Sequence, residues 1–409
     1  MNCSSLPVDL AGRIPELDGL RGVAISMVVI LHYLLVTWQV RPGTPVAYAL
    51  ATGRLAWTGV DLFFVLSGFL IGGILADARG STNYFSVFYT RRFFRIFPIY
   101  AALLLGFSVL EILTRTGRFG DFSWLTRDPA PWYSYWTFTQ NFSALLKNPP
   151  YARYFIVMWS LAVEEQFYLV APLAIRLING KNLAKRLVAG ILCVPLIRTV
   201  FVLCWPRAAG ATAVLLPCRA DALLMGVLAA VLLRDAKWFR RIARADSWFA
   251  VSLPILILGM GILTVVVKSY SSALLVTVGY SWIAFFYATV LVFAITRRNS
   301  LLSLLLRNRV LMWLGAISYG LYLLHQPIAG LVFCGLRGHP PDIARWYDLF
   351  FSFLSLVATV IVARLSWLYF ERPLVQLGHR ARYKYSASDV DPAVSLSTEQ
   401  VGRMSHSQI

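Results

Sequence analysis

Charged and titratable side chains stand inside long apolar segments of this sequence, and their chemistry needs an explanation. A charged group at the centre of a bilayer costs about 2.5 to 3.5 kcal/mol, so residues of this kind usually serve a function. They include His32, Asp61, Glu164, Glu165, Arg198, Arg219, Asp221, His325 and Arg364.

Arg21 and His32 lie eleven residues apart in the first apolar segment. On an α-helix this spacing places them on one face, roughly 16 Å apart along the axis. Asp61, in the outer half of the second segment, is expected at the depth of His32. Two interpretations stay open: His32 and Asp61 form a structural polar pair, or Asp61 fixes the tautomer of a catalytic base.

Two other groups of polar residues have candidate roles. Arg92 and Arg95 share one face at the start of the third segment and could bind phosphates, although arginines there could also be simple orientation anchors. The neighbours Glu164 and Glu165 point about 100° apart, so they cannot form a facing acid pair. We expect one to face a cavity and the other to brace a helix through Arg219, with Asp221 bracing another cation.

The composition places these residues in a membrane. The chain has 409 residues, of which 58% are hydrophobic and 14% charged, whereas soluble domains average about 25% charged residues. This excludes a soluble enzyme. Apolar runs predict an all-α polytopic protein with about ten transmembrane helices, near 22–39, 56–76, 96–113, 154–175, 187–205, 213–233, 247–267, 272–296, 310–334 and 348–370.

Loop charge predicts the orientation of the chain. The loops after the second, fourth, sixth and eighth segments carry four or five Lys and Arg each, whereas the short alternate loops carry one or two. Cytoplasmic loops are enriched in both residues, so both termini are expected inside. The net charge of +19 is spread between apolar segments rather than gathered on a patch, which argues against nucleic acid as a partner. Five cysteines show no metal spacing and predict neither zinc nor a disulfide framework.

The longest loop, about 114–153, is expected outside the membrane. Within it, residues 131–146 are aromatic but polar, which favours an interfacial or re-entrant piece. Its aromatic residues could stack on sugar rings or form an interfacial belt.

Six motifs follow one another in an order that resembles the acyltransferase 3 family of membrane O-acyltransferases, which act on sugars. They are LDGLRG at 17–22 with His32 after it, GVDLFFVLSGFLI at 59–71, RRFFRIFP at 91–98, WSLAVEEQFY at 159–168, SYGLYLLH at 318–325 and FERP at 370–373. The resemblance runs from about residue 14 to 374. We therefore expect a membrane domain over 1–374 and a cytoplasmic tail over 375–409 that is disordered from about 386.

The resemblance implies roles for individual residues. His32 would be the general base, Glu371 a further catalytic residue, and Arg21, Arg92 and Arg95 would bind the donor. Asp61 is also a catalytic candidate, because of its expected depth beside His32 rather than because of the resemblance. The supporting polar residues within the membrane would be Glu164, Glu165, Tyr168, Arg219, Asp221 and His325.

The resemblance also implies the substrates. The donor would be an acyl-coenzyme A, usually acetyl-CoA, and the acceptor a hydroxyl of a glycan, glycolipid or small glycoside at the plasma membrane. The chain resembles members without a fused extracytoplasmic domain. An acyl-enzyme at Ser67, a tyrosine or a histidine stays open. The alternative function is a proton-coupled transporter or flippase of a lipid-linked glycan, with His32 and Asp61 as a proton relay.

Overall fold

The computed structural model describes residues 12–35, 37, 53–116, 122–127, 129–146, 152–267, 269 and 272–386. The long helices, in chain order, are α1 Pro15–Ile30, α2 Gly59–Asp77, α3 Tyr84–Thr116, α4 Met158–Leu177, α5 Gly180–Cys204, α6 Leu216–Arg234, α7 Asp246–Val266, α8 Tyr280–Thr296, α9 Ser318–Arg337 and α10 Asp348–Ser366. Shorter helices connect them at Ser123–Thr126, Trp132–Trp136, Ala236–Ala243, Leu301–Leu306, Arg309–Ala316 and Arg372–His379. The predicted all-α polytopic membrane protein is confirmed.

Nine helices of the described part of the chain are long and apolar enough to cross a bilayer. The helix α4 is not among them because Glu164, Glu165 and Gln166 lower its mean hydropathy, although it occupies the predicted fourth segment. The exposed faces of these helices are apolar. On α5, for example, Leu192, Leu196 and Leu203 are each more than 60% exposed, as expected for side chains that contact lipid.

Each predicted apolar segment coincides with a long helix, but some ends are wrong. The helix α3 begins at Tyr84 rather than near residue 96, because Arg92 and Arg95 interrupt the apolar pattern without interrupting the helix. The predicted segment 310–334 is broken at Ile317, between Arg309–Ala316 and α9.

Three helical turns among the described residues have π geometry, which the sequence did not predict. Two of them carry candidate catalytic residues: Leu31–Leu35, which extends α1 and contains His32, and Trp367–Glu371, which follows α10 and ends at Glu371. The third is Leu275–Gly279, directly before α8. Single π-helical turns within α-helices occur often at functional sites, because the extra residue redirects side chains.

Glycines allow α1 to approach its neighbours closely. A Cβ atom at Gly19 or Gly22 would collide with the backbone carbonyls of Leu306 and Leu311. These glycines belong to the LDGLRG motif, so one role of that motif is to pack α1 against the helices that precede α9. Arg21 lies between these two glycines in the sequence, so the close packing of α1 also fixes the position of Arg21.

The structure describes the segment after the last helix as far as Ser386. Arg91 donates two hydrogen bonds to the Ala381 carbonyl, at 3.0 and 2.8 Å, and Thr82 donates its backbone N–H to the Lys384 carbonyl at 2.8 Å. These bonds attach the segment to the start of α3. The predicted disorder of the tail falls on residues outside the described ranges.

Candidate active site

A cavity of about 140 Å³ lies within the bundle, which is room for about five water molecules at roughly 30 Å³ each. On α2 its lining residues recur every three or four positions and therefore share one helical face. The cavity is lined by Arg21, Val60, Phe63, Phe64, Leu66, Ser67, Leu70, Ile71, Arg92, Arg95, Ile96, Ser160, Leu161, Glu164, Tyr168, Ser318, Tyr319 and Tyr322. We call it the donor cavity.

Three arginines line one end of the donor cavity. Arg92 and Arg95 donate no hydrogen bond to any atom of the described residues, while Arg21 donates one to Asp18 at 3.0 Å. The Arg95 guanidinium lies over the rings of Tyr319 and Trp367, 5.8 and 5.3 Å from their centroids. Such stacking fixes a guanidinium while leaving its N–H groups free to bind an anion.

A chain of three hydrogen-bonded side chains crosses the middle of the donor cavity. Ser67 Oγ lies 2.5 Å from Tyr168 Oη, and Tyr168 Oη lies 3.2 Å from Glu164 Oε2. When Tyr168 donates its only proton to the carboxylate, Ser67 must donate to Tyr168. Glu164 is therefore the glutamate that faces a cavity, as predicted, while Glu165 Oε1 is buried without a hydrogen-bond partner in the described part of the chain.

Phe63, Ser160 and Tyr322 also line the donor cavity. We place them at its opposite end because Phe63 comes one turn before Ser67 on α2, and Ser160 two turns before Tyr168 on α4. Tyr322 Oη is hydrogen-bonded to Ser160 Oγ and lies 2.9 Å from the Val157 carbonyl. The ring of Phe63 packs against the Tyr322 ring, with centroids 6.0 Å apart at 74°. The cavity therefore has a cationic end and an aromatic end.

A pair of histidines lies beyond this aromatic end. His32 Nδ1 is 2.9 Å from the Val28 carbonyl and 3.2 Å from His325 Nε2. His325 Nδ1 is 2.7 Å from the Tyr322 carbonyl. A carbonyl oxygen only accepts, so both Nδ1 atoms are assigned as donors. In the neutral pair, His325 Nε2 accepts from His32, and His32 Nε2 keeps a free lone pair.

The exposure of the two rings differs. His325 is completely buried, whereas His32 is partly exposed, and its Nε2 has no hydrogen-bond partner among the described residues. His32 is therefore the member of the pair that can reach a substrate, and His325 is a positioning residue. The sequence predicted that Arg21 and His32 line one wall, but only Arg21 lines the donor cavity.

The predicted contact between Asp61 and His32 is wrong. Asp61 instead forms a buried salt bridge with Arg219 of α6, and the Arg219 guanidinium lies 4.0 Å from the centroid of the Tyr280 ring. The helices α2 and α6 pack so closely that a Cβ atom at Gly226 would collide with the α2 backbone. This contact turns Asp61 toward α6 and away from α1.

Arg219 is likewise not the partner of Glu164 or Glu165, because Asp61 occupies it. The expectation that Asp221 pairs with another cation is confirmed. Asp221 Oδ2 accepts a hydrogen bond from Arg198 at 2.8 Å, and Arg198 also donates to the Val276 carbonyl at 2.7 Å. These residues are fully buried. The opposite charges of Arg198 and Asp221 balance each other, and their hydrogen bonds join α5, α6 and the turn before α8.

Replacing Arg219 with alanine should lower the free energy of unfolding by about 3 to 5 kcal/mol, because it leaves the buried Asp61 carboxylate without its cation. Thermal unfolding of the purified protein in detergent measures the effect. Arg234→Ala is the matched control, since Arg234 also joins α6 to α2, but through an Asp77 that is 54% exposed. Its effect should stay within about 1 kcal/mol. Equal losses in the two variants would contradict a structural role for the buried pair.

Glu371 lies near the arginine end rather than near His32. Its Oε1 accepts a hydrogen bond from Ser366 at 3.0 Å, and its charge interacts with that of Arg95. Glu371 Oε2 is buried without a hydrogen-bond partner in the described ranges. From this position the Glu371 carboxylate can help to orient the Arg95 guanidinium. A catalytic role for Glu371 stays a prediction.

The aromatic loop docks into the bundle. Gln166 of α4 donates hydrogen bonds to the Phe138 carbonyl at 2.7 Å and to Asn141 Oδ1 at 2.9 Å. Tyr133 and Trp136 are 71% and 42% exposed. The loop therefore presents aromatic side chains at the surface, and their part in sugar binding stays a prediction.

The sequence did not indicate that His325 contacts His32, or that Tyr322 closes the donor cavity. A signal was present, since Tyr319, Tyr322 and His325 recur every three residues and therefore lie along one side of a helix. In the structure these residues contact Arg95, Ser160 and His32 respectively. One strip of α9 thus leads from the arginine end to the histidine pair.

Comparison with known proteins identifies relatives over nearly the whole chain. It is 27% identical to the peptidoglycan O-acetyltransferase OatA of Listeria monocytogenes, over 89% of this chain and 56% of the relative. It is 30% identical to the putative peptidoglycan O-acetyltransferase YrhL of Bacillus subtilis, over 90% of this chain and 56% of the relative. The O-acetyltransferase OatA of Staphylococcus aureus is 27% identical, over 90% and 58% respectively.

The chain thus spans a little more than half the length of these curated relatives. No solved structure matches it. The model of the acyltransferase 3 family, described as an acyltransferase domain, matches residues 14–365. This range contains the donor cavity and both histidines. The protein is therefore a multi-pass membrane member of the acyltransferase 3 family.

Proposed function

We propose that the chain transfers an acetyl group from acetyl-coenzyme A to a hydroxyl of a cell-wall glycan, with His32 as the general base. The observation that carries this proposal is the hydrogen bonding of the histidine pair. It commits the Nδ1 proton of His32 to Val28 and His325 and leaves Nε2 free on a partly exposed ring. The acetyl group and the glycan acceptor are inferred from the names of the relatives.

The arginine end of the donor cavity supports a phosphorylated donor. Arg92 and Arg95 have unused N–H groups, and charge-assisted hydrogen bonds to phosphate are among the strongest polar contacts. Coenzyme A carries several phosphates at one end and a thioester at the other. With its phosphates on the arginines, its thioester arm extends along the cavity toward Tyr322 and the histidine pair.

The reaction needs one proton acceptor and one leaving group. His32 Nε2 removes the proton of the acceptor hydroxyl as its oxygen attacks the thioester carbonyl. The tetrahedral intermediate then expels the coenzyme A thiolate, and the protonated imidazole returns the proton to the sulfur. The products are an O-acyl ester and free coenzyme A. Attack by the acceptor on an acyl-enzyme instead would use the same base.

The loop charges support a cytoplasmic position for the arginine end, where acyl-coenzyme A is made, with the histidine pair toward the outer side. In this orientation the donor and the acceptor approach from opposite sides of the membrane. The transporter alternative is not favoured, because the relatives are named as O-acetyltransferases.

The test of the proposed function is mass spectrometry of cell-wall glycans from cells with and without the gene. We expect O-acetyl groups, each adding one acetyl mass and removed by mild alkali, to be lost with the gene and restored by the wild-type copy. Unchanged acetylation of every glycan would contradict the proposal.

Replacing His325 with leucine should lower kcat by about tenfold and leave KM for acetyl-CoA unchanged. The variant removes the His325 nitrogen that accepts a hydrogen bond from His32 Nδ1–H. A hydrogen bond of this kind contributes about 0.5 to 1.5 kcal/mol. Steady-state kinetics of the purified protein measures both constants. His325→Gln places an amide acceptor near the same point and should recover part of kcat. Equal losses in the leucine and glutamine variants would indicate a purely structural role.

A further inference from the structure

The Tyr322 ring lies against both the donor cavity and His325, the buried member of the histidine pair. Tyr322 lines the cavity, and its ring centroid lies 5.9 Å from that of His325. Neither His32 nor His325 is among the described residues that line the cavity. Tyr322 is thus in contact with the cavity on one side and with the buried histidine on the other.

The Tyr322 ring is held firmly in this position. Its hydroxyl is bonded to Ser160 and to the Val157 carbonyl of the segment that starts α4, and only 8% of the residue is exposed. Phe63 of α2 packs against the same ring with nearly perpendicular geometry. The wall is therefore built from three helices, α2, α4 and α9. A longer acyl group that reached it would collide with packed side chains.

We propose that Phe63 and Tyr322 form the end wall of the donor cavity and limit the acyl group of the donor to two carbons. The inference rests on the proposed function, since phosphates bound at the arginines leave the acyl end of the donor to meet the far end of the cavity. An acetyl group ends next to the carbonyl that must react. Each further methylene has to occupy the space that the two rings fill.

The expected preference for acetyl-CoA over longer acyl donors can be estimated from the behaviour of apolar pockets in other enzymes. One methylene too many in a pocket shaped for a smaller group costs about 10- to 200-fold in kcat/KM. Butyryl-CoA, with two more methylenes than acetyl-CoA, should therefore be used at least tenfold less efficiently by the wild-type protein. Phe63→Ala removes one ring from the wall and should reduce this preference by about tenfold.

Leu70 provides a matched control on the same helix. It lines the donor cavity seven residues after Phe63, which places it on the same face, two turns nearer the arginine end. Leu70→Ala also enlarges the cavity, but away from the wall. We expect it to affect acetyl-CoA and butyryl-CoA alike, so the ratio of the two should stay at the wild-type value.

The experiment measures release of free coenzyme A by mass spectrometry, with purified protein, soluble uncrosslinked peptidoglycan strands as acceptor, and acetyl-CoA or butyryl-CoA as donor. The readout is the ratio of kcat/KM for the two donors on one protein sample. Loss of folded protein in a variant cancels in this ratio.

The expected result is a wild-type preference for acetyl-CoA that falls in Phe63→Ala and persists in Leu70→Ala. The end-wall proposal would be overturned if the wild type used both donors equally well, or if Phe63→Ala and Leu70→Ala had the same ratio of kcat/KM for the two donors. Either result would leave the proposed transferase function intact. No consumption of either donor by the wild type would overturn the proposed donor itself, and the inference with it.

Discussion

Replacing His32 with alanine should lower the rate of acyl transfer by about 10²- to 10⁴-fold, the usual cost of losing a general base. Its Nε2 is the one ring nitrogen of the histidine pair that no described residue occupies. The variant should still insert into the membrane and bind acetyl-CoA, because His32 does not line the donor cavity. Steady-state transfer assays on protein normalised by quantitative immunoblot measure the loss.

His339→Ala is the control for this variant, because His339 lies in the loop after α9. Its ring contacts the Pro340 carbonyl and packs against Phe333, and it does not line the donor cavity. It should retain wild-type transfer. If His32→Ala also retained transfer, His32 would be no base, and His325 would become the next candidate. If His32→Ala failed to accumulate in the membrane, the histidine pair would be structural.

Replacing Arg92 and Arg95 together with alanine should raise the dissociation constant for acetyl-CoA by at least about 100-fold. A hydrogen bond to a charged group contributes about 1.5 to 3 kcal/mol, which is roughly 10- to 100-fold in affinity for each arginine. Neither arginine has a hydrogen-bond acceptor in the described part of the chain. Isothermal titration of the detergent-solubilised variant with desulfo-CoA, an unreactive analogue, measures binding without turnover.

Arg91 is the matched control for the arginine pair. It is adjacent to Arg92, but its guanidinium is occupied by the Ala381 carbonyl and it does not line the donor cavity. Arg91→Ala should loosen the segment after the last helix and leave donor affinity within about threefold of wild type. Normal donor affinity in the double variant would return Arg92 and Arg95 to the role of orientation anchors.

The sequence predicted the helices well because the membrane imposes a strong pattern. A transmembrane helix needs about 20 apolar residues, and each predicted segment coincides with a long helix, although the segment 310–334 is broken at Ile317. The errors are at the ends. Arg92 and Arg95 made α3 look shorter than its 33 residues, because a hydropathy pattern detects the apolar part of a helix and not a first part whose arginines line a cavity.

The sequence could not predict which polar side chains meet. Asp61 and His32 were matched by depth alone, but depth does not determine the direction in which a side chain points. The close packing of α2 on α6 turns Asp61 toward Arg219. The π-helical turn Leu31–Leu35 changes the direction of His32, and no simple pattern of residue types predicts such a turn.

Arg21, Arg92 and Arg95 were grouped correctly, because charge places all three at one end of their helices and the packing of α1 and α3 brings them to one cavity. His325 was recognised as a buried polar residue but not as the partner of His32. Its contact depends on α9 lying beside α1, and the two histidines are 293 positions apart in the sequence.

The most direct test of the account is transfer from labelled donor by the purified protein in liposomes. Acetyl-CoA carrying a ¹³C-acetyl group is supplied with soluble uncrosslinked peptidoglycan strands, and the strands are analysed by mass spectrometry. The account predicts ¹³C-acetyl esters on glycan hydroxyls with the wild-type protein, and a loss of at least 100-fold with His32→Ala. Labelled esters formed equally by both proteins, or no label on the strands with the wild type, would contradict it.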